Sequence, residues 1–195
     1  MTDEPVRAFV AVDLPGSVKS ALGDLIARLQ RGAPSEVKWV DPSVLHLTLK
    51  FLGEIPATQV ADVVGAMALA CRGHGPILLR VQGLGAFPTL KSPRVLWVGL
   101  TGDLGRLQAL QQSLEEALAA RGFPREERPF SPHLTLGRLR EGASPAVRQQ
   151  VGETLARASL PQGLEVPVPD LVLYRSVLRP QGPLYTPLHR QALGP

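Results

Sequence analysis

The sequence predicts a duplicated fold of strands and helices, arranged as two lobes of one chain. The order strand, helix, strand, helix, strand reads twice, and each reading contains the tetrapeptide His-Leu-Thr-Leu, at 46–49 and at 133–136. The spacing repeats as well, since 36 positions separate Val10 from His46 and 36 separate Trp97 from His133. Chance reproduces a leucine-rich tetrapeptide far more easily than the tetrapeptide, the order and the interval together.

In the first half, residues 6–12 (VRAFVAV) form a strand, because β-branched and aromatic residues dominate and Pro15 soon closes the run. Val18, Leu22, Leu25 and Leu29 then recur at helical intervals over 16–30. VKWV follows, HLTLKFL alternates over 46–52 with Gly53 as its stop, a helix spans about 58–71, and ILLRVQGLGAF is a strand interrupted by glycines. The second half starts with VLWVGL at 95–100, an apolar run suited to a buried strand. Leu104, Leu107, Leu110, Leu114 and Leu118 stripe a helix over 103–120, which Gly122 ends. HLTLGRL, a helix over 145–157, a strand over 171–178 and a short terminal strand, LYTPL, complete it. The turn-rich GAFPTLKSPR at 85–94 reads as a crossover between lobes. It divides a single bilobal domain into lobe one, about 1–88, and lobe two, about 89–195.

A chain of 195 residues, 44% hydrophobic and 19% charged, buries a sizeable core and is not disordered. Seventeen of its 21 basic residues are arginine and the net charge is +4, which permits a polyanionic partner without establishing one. The single cysteine, Cys71, excludes an internal disulfide and a multi-cysteine zinc site. The amino terminus lacks the basic start and long apolar segment of a signal peptide, and no run approaches membrane-spanning length. A cytoplasmic, monomeric chain without a membrane partner is expected. Asparagine is absent, which fits either heat adaptation or a biased genome. The zinc motif HExxH, the phosphate loop GxxxxGK and the nucleophile elbow GxSxG are also absent.

Strand side chains alternate faces, so His46 and Thr48 project one way while Leu47 and Leu49 anchor the other side; His133 and Thr135 repeat the pattern. If the halves pack about an approximate two-fold axis, two imidazoles and two hydroxyls converge across a cleft. Histidines titrating near ~6.5 can divide acid and base duties close to neutral pH, while threonine hydroxyls donate to phosphoryl oxygens. Such a set suits in-line displacement at phosphorus and needs no metal or cofactor; neither motif places a carboxylate on its histidine face. Lys50 shares that face in a regular strand, whereas Arg138 has the wrong parity and needs a bulge to reach it. Phe51 and Trp97 are expected in the core, and His74 and His189, which have no counterparts, in solvent. A binding module without turnover and a purely structural protein are the competing classes. The second must treat the repeated His/Thr pattern as accident.

HLTLKFLG at 46–53, HLTLGRL at 133–139, RAFVAVDLP at 7–15 and GPLY at 182–185 together resemble the 2H phosphoesterase superfamily. Within it, the chain is similar to the bacterial and archaeal RNA 2',3'-cyclic phosphodiesterases, historically called 2'-5' RNA ligases. The resemblance implies an α+β fold whose antiparallel sheets line a central cleft with helices outside. It implies an RNA or oligonucleotide partner with a 2',3'-cyclic phosphate end, opened without metal to a 2'-phosphomonoester. It also implies His133 as general base and His46 as general acid, roles that spacing leaves open. Thr48 and Thr135 would hold the phosphate, with Arg138 or Lys50 nearby and Tyr185 on the substrate side.

Overall fold

A computed structural model describes residues 4–180 and 182–194. The first half supplies β1 (Pro5–Asp13), α1 (Gly16–Gly32), β2 (Val37–Trp39), β3 (His46–Pro56), α2 (Val60–Ala70) and β4 (Ile77–Thr89). The second supplies β5 (Ser92–Gly102), α3 (Leu104–Ala119), β6 (His133–Leu139), α4 (Pro145–Arg157), β7 (Glu165–Val168), β8 (Asp170–Val177) and β9 (Leu184–Ala192). Every predicted helix and strand is present. The short β7, whose Glu-Val-Pro-Val carries an interior proline, was not anticipated, and β3 runs past Gly53, which bends within the strand at φ +71°.

Two antiparallel sheets organise these strands, in the orders β3-β1-β8-β9 and β2-β6-β5-β4-β7. This corrects the expected boundary near residue 88. Segment 85–94 is a hairpin inside the second sheet, with Thr89 paired to Ser92, and it does not cross between lobes. The two sheets exchange elements instead. β4, last strand of the first half, lies beside β5, while β8 from the second half lies beside β1. Both sheets repeat one plan, with a histidine strand, a leading strand and a strand donated by the other half. Pairing sets Ala11 opposite Thr48 and Trp97 opposite Thr135, so Trp97 answers to Ala11, one residue from the match that the equal intervals suggested.

The apolar sides of both sheets and the stripes of all four helices fuse into one core. Val18, Leu22, Leu25 and Leu29 line the buried face of α1, and Leu107, Leu110, Leu114 and Leu118 line that of α3. The final helix closes tightly over the β4–β5 hairpin, where a side chain at Gly152 would sit 1.9 Å from the Leu90 carbonyl. Only glycine lets the helix approach so closely.

Candidate active site

His46 opens β3 and His133 opens β6, and the two strands lie against each other where the sheets meet. His46 Nδ1 is 2.8 Å from the Val44 carbonyl and His133 Nδ1 is 2.7 Å from that of Ser131. A carbonyl only accepts, so each ring donates from Nδ1 and leaves Nε2 to take or give a proton. Burial pushes both imidazoles below the ordinary histidine value, against the upward pull of those carbonyls. Lys19 lowers His46 further while Asp13 raises it; Arg138 lowers His133. Both rings therefore titrate on the acid side of the neutral range assumed from sequence.

Residues opposite each other in antiparallel strands share a face. Asp13 opposes His46, Ala11 opposes Thr48, and then Val10 opposes Lys50 and Phe9 opposes Phe51, leaving Leu49 as an extra residue. The second motif carries the same bulge. Gly99 opposes His133, Trp97 opposes Thr135, Leu96 opposes Gly137 and Val95 opposes Arg138, with Leu136 extra. The inserted residue reverses the alternation beyond each threonine. Arg138 thereby joins the face of His133 and Thr135. Lys50 leaves it, correcting the expectation that it faces phosphate: it is 6% exposed and its Nζ donates to Glu115 and to the Pro124 carbonyl. Phe51 takes the vacated side and is 64% exposed, where the unbroken parity assigned it to the core.

A family model described as the 2'-5' RNA ligase superfamily matches residues 18–178. The chain belongs to this superfamily. Within the 2H phosphoesterases it is a member of the LigT-like RNA 2',3'-cyclic phosphodiesterase family. The RNA 2',3'-cyclic phosphodiesterase of Methanothermobacter thermautotrophicus is 34% identical over 184 residues, covering 93% of this chain and 95% of the relative. That of Thermus thermophilus is 35% identical over 194 residues, covering 96% and 90%. Among solved structures, TT0787 of Thermus thermophilus superposes with a TM-score of 0.77 at 33% identity, covering 96% of this chain and 97% of that one. E. coli LigT in complex with 3'-AMP gives 0.74 at 30% identity, covering 97% and 99%.

In this superfamily member, aromatic rings fix both histidines. Phe9 packs 4.8 Å from the His46 ring and Tyr185 meets it edge-on at 5.3 Å; Phe87 meets His133 edge-on at 4.9 Å, with Trp97 6.5 Å away. Trp97, expected in the core, is a half-buried wall of the polar face. The phenol of Tyr185 in the first sheet is raised by burial and lowered by the charges of Arg138, in the second sheet, and Arg7. The two polar faces are thus within electrostatic reach of each other. A cavity of about 170 Å³ beside His46 is lined by Asp13, Lys19, Ser43, Tyr174 and Tyr185. A larger one, about 580 Å³, lies at Arg80, Gln82, Thr101 and Gln162 and contains neither histidine, so the chemistry locates the site and cavity size does not.

Sequence reasoning missed Arg7, Phe9 and Tyr174 on this face, although alternation along β1 from Asp13 would have placed the first two there. In β8, Ser176 shares the face of Tyr174 and pairs with Tyr185, while Arg175 has the opposite parity. His74 and His189 are half-buried, not exposed: His74 Nε2 lies 3.1 Å from the Ser113 hydroxyl and His189 Nε2 lies 3.5 Å from the Gln191 amide oxygen.

Proposed function

We propose that this chain opens the 2',3'-cyclic phosphate at an RNA end to a 2'-phosphomonoester, with His133 as base, His46 as acid and no metal. The matched presentation of two histidines carries the reading, since each Nδ1 is tied to the carbonyl two residues earlier and each Nε2 is left for chemistry. His133 Nε2 takes a proton from water as the water oxygen bonds to phosphorus. The bond from phosphorus to the 3' oxygen breaks, and that oxygen receives its proton from His46. Thr48, Thr135 and Arg138 donate to the nonbridging oxygens, where negative charge gathers. The same groups serve 2'-5' ligation when the 5'-hydroxyl of a second RNA replaces water: its oxygen bonds to phosphorus and loses its proton to His133, the 3' oxygen leaves with a proton from His46, and a 2'-5' linkage remains. Phe51, on the face of Thr48, offers a ring for a base to stack on.

The test gives the purified protein an RNA with a 2',3'-cyclic end in EDTA and identifies the product isomer. Turnover to a 2'-phosphate is expected. H46A and H133A should each lose about 10²–10⁴-fold in rate while still binding RNA. Replacing the 3' leaving oxygen by sulfur, which departs without a proton, should rescue H46A far more than H133A. Binding without turnover, a 3'-phosphate product, or equal rescue of both variants would each overturn the assignment.

A further inference from the structure

Behind the polar face lies a buried ion pair to which the chemistry above gives no part. Lys50 Nζ donates to Glu115 Oε2 at 2.8 Å and to the Pro124 carbonyl at 2.7 Å. The same Oε2 accepts from the Glu126 backbone N–H at 3.3 Å, and Oε1 accepts from the Gln111 amide at 3.3 Å. Lys50 and Glu115 are 6% and 8% exposed. The pair joins the two halves of the chain, since Lys50 stands in β3 four residues after His46 and Glu115 in the α3 helix.

Stability alone accounts poorly for such a pair. Removing two charges from water costs about as much as their attraction returns, and apolar side chains of similar volume often serve as well or better. The geometry offers another role. Cation and anion each hold a backbone group, the Pro124 carbonyl and the Glu126 N–H, of the irregular segment 124–132. The far end of that segment provides the Ser131 carbonyl, which accepts from His133 Nδ1 at 2.7 Å. The bulge that takes Lys50 off the polar face is what aims it at this segment.

We infer that Lys50 and Glu115 are positioning residues, which anchor the segment carrying Ser131 and so set the orientation of His133 relative to the strand of His46. This rests on the two-histidine reading of the site. K50M alone strands a buried carboxylate and should unfold readily, so the decisive protein is K50M/E115M, with both charges removed and the volume kept. A second variant, E115Q, keeps the shape and removes only the anion. Thermal melts establish which variants are folded.

Two readouts separate positioning from a merely structural role. In steady-state kinetics with a 2',3'-cyclic RNA, kcat of the double variant should fall at least tenfold with KM within about twofold, and K50R, which keeps the cation, should retain most of kcat. In NMR titrations of the two imidazoles, which need no turnover, His133 should titrate at lower pH in both charge-removing variants as its hydrogen bond to Ser131 loosens, while His46 stays in place. A wild-type His133 titration and kcat in whichever of these two variants folds would overturn the inference. A wild-type protein inactive on the RNA would instead overturn the proposed function, and the titration would still test the pair.

Discussion

Gly85 of β4 lies opposite Trp97, and a Cβ added there would stand 2.3 Å from two carbons of the indole. Ordinary contact begins near 3.4 Å, so in G85A the ring must retreat by at least about 1 Å. Trp97 packs 5.2 Å from Phe87, which holds His133 edge-on at 4.9 Å, so the displacement reaches His133. Overpacking of this kind costs about 1–3 kcal/mol, which in a chain of this size lowers Tm by roughly 2–12 °C. A misplacement of about 1 Å in a reacting group costs up to about 10²-fold in rate. G85A should therefore remain folded and lose about ten- to 100-fold in kcat on a cyclic-phosphate RNA. The assay adds W97L and the double variant, in which a smaller side chain accommodates the new methyl group, so that the two losses fail to add by about 0.5–3 kcal/mol. G16A, at a position with nothing within 4 Å, serves as the control. Wild-type kcat in G85A, or strict additivity with W97L, would refute the chain of contacts from Gly85 to His133.

R138A should lower kcat/KM by roughly ten- to 150-fold, the worth of a hydrogen bond to a charged group, and R175A far less because its parity points it away; equal losses in folded proteins would refute the placement. F51A should cut kcat/KM on an oligonucleotide about five- to 150-fold through lost stacking and leave Tm nearly unchanged, since the ring is 64% exposed; a lowered Tm with normal kinetics would return Phe51 to a packing role. Because both imidazoles are held below their ordinary ~6.5, and the proposed mechanism needs His133 neutral and His46 protonated, the kcat/KM profile should peak on the acid side of 6.5. Its alkaline limb belongs to His46, so D13N, which removes the carboxylate that raises this ring, should move that limb to lower pH and leave the acid limb in place; movement of the acid limb alone would reverse the assignment.

The sequence made the polar faces readable at His46, Thr48, His133 and Thr135, because alternation is regular over those three-residue stretches and leucines occupy the other side. It failed one step later. A bulge at Leu49 or Leu136 inserts an ordinary leucine into a leucine-rich strand, and no residue type marks the place where parity reverses. Lys50 and Phe51 were exchanged between faces for that reason, while Arg138 was saved only by allowing for a bulge. The division into lobes failed differently. Element order records the sequence of strands but not the sheet that each one joins, so the exchange of β4 and β8 left no trace in periodicity. The hairpin at 85–94 looked like a crossover because its prolines and glycine are compatible with either.

The shared bulge also explains how a symmetric framework gives the two histidines unlike surroundings. It puts the fifth residue after each histidine on the polar face, and the two halves fill that position with Phe51 and Arg138. The residue opposite each histidine differs as well, Asp13 for His46 and Gly99 for His133. A carboxylate beside one imidazole favours its protonated form, and a guanidinium near the other favours its neutral form. Lys19, whose Nζ lies 2.8 Å from that carboxylate, lowers the His46 ring more than Asp13 raises it. In the proposed reaction an anionic phosphate would add negative charge beside both rings, and Asp13 would be a second anion at His46 alone. The backbone repeat presents two histidines alike, and in the proposed mechanism the unlike groups around them, Asp13 and Lys19 at one and Arg138 at the other, distinguish acid from base.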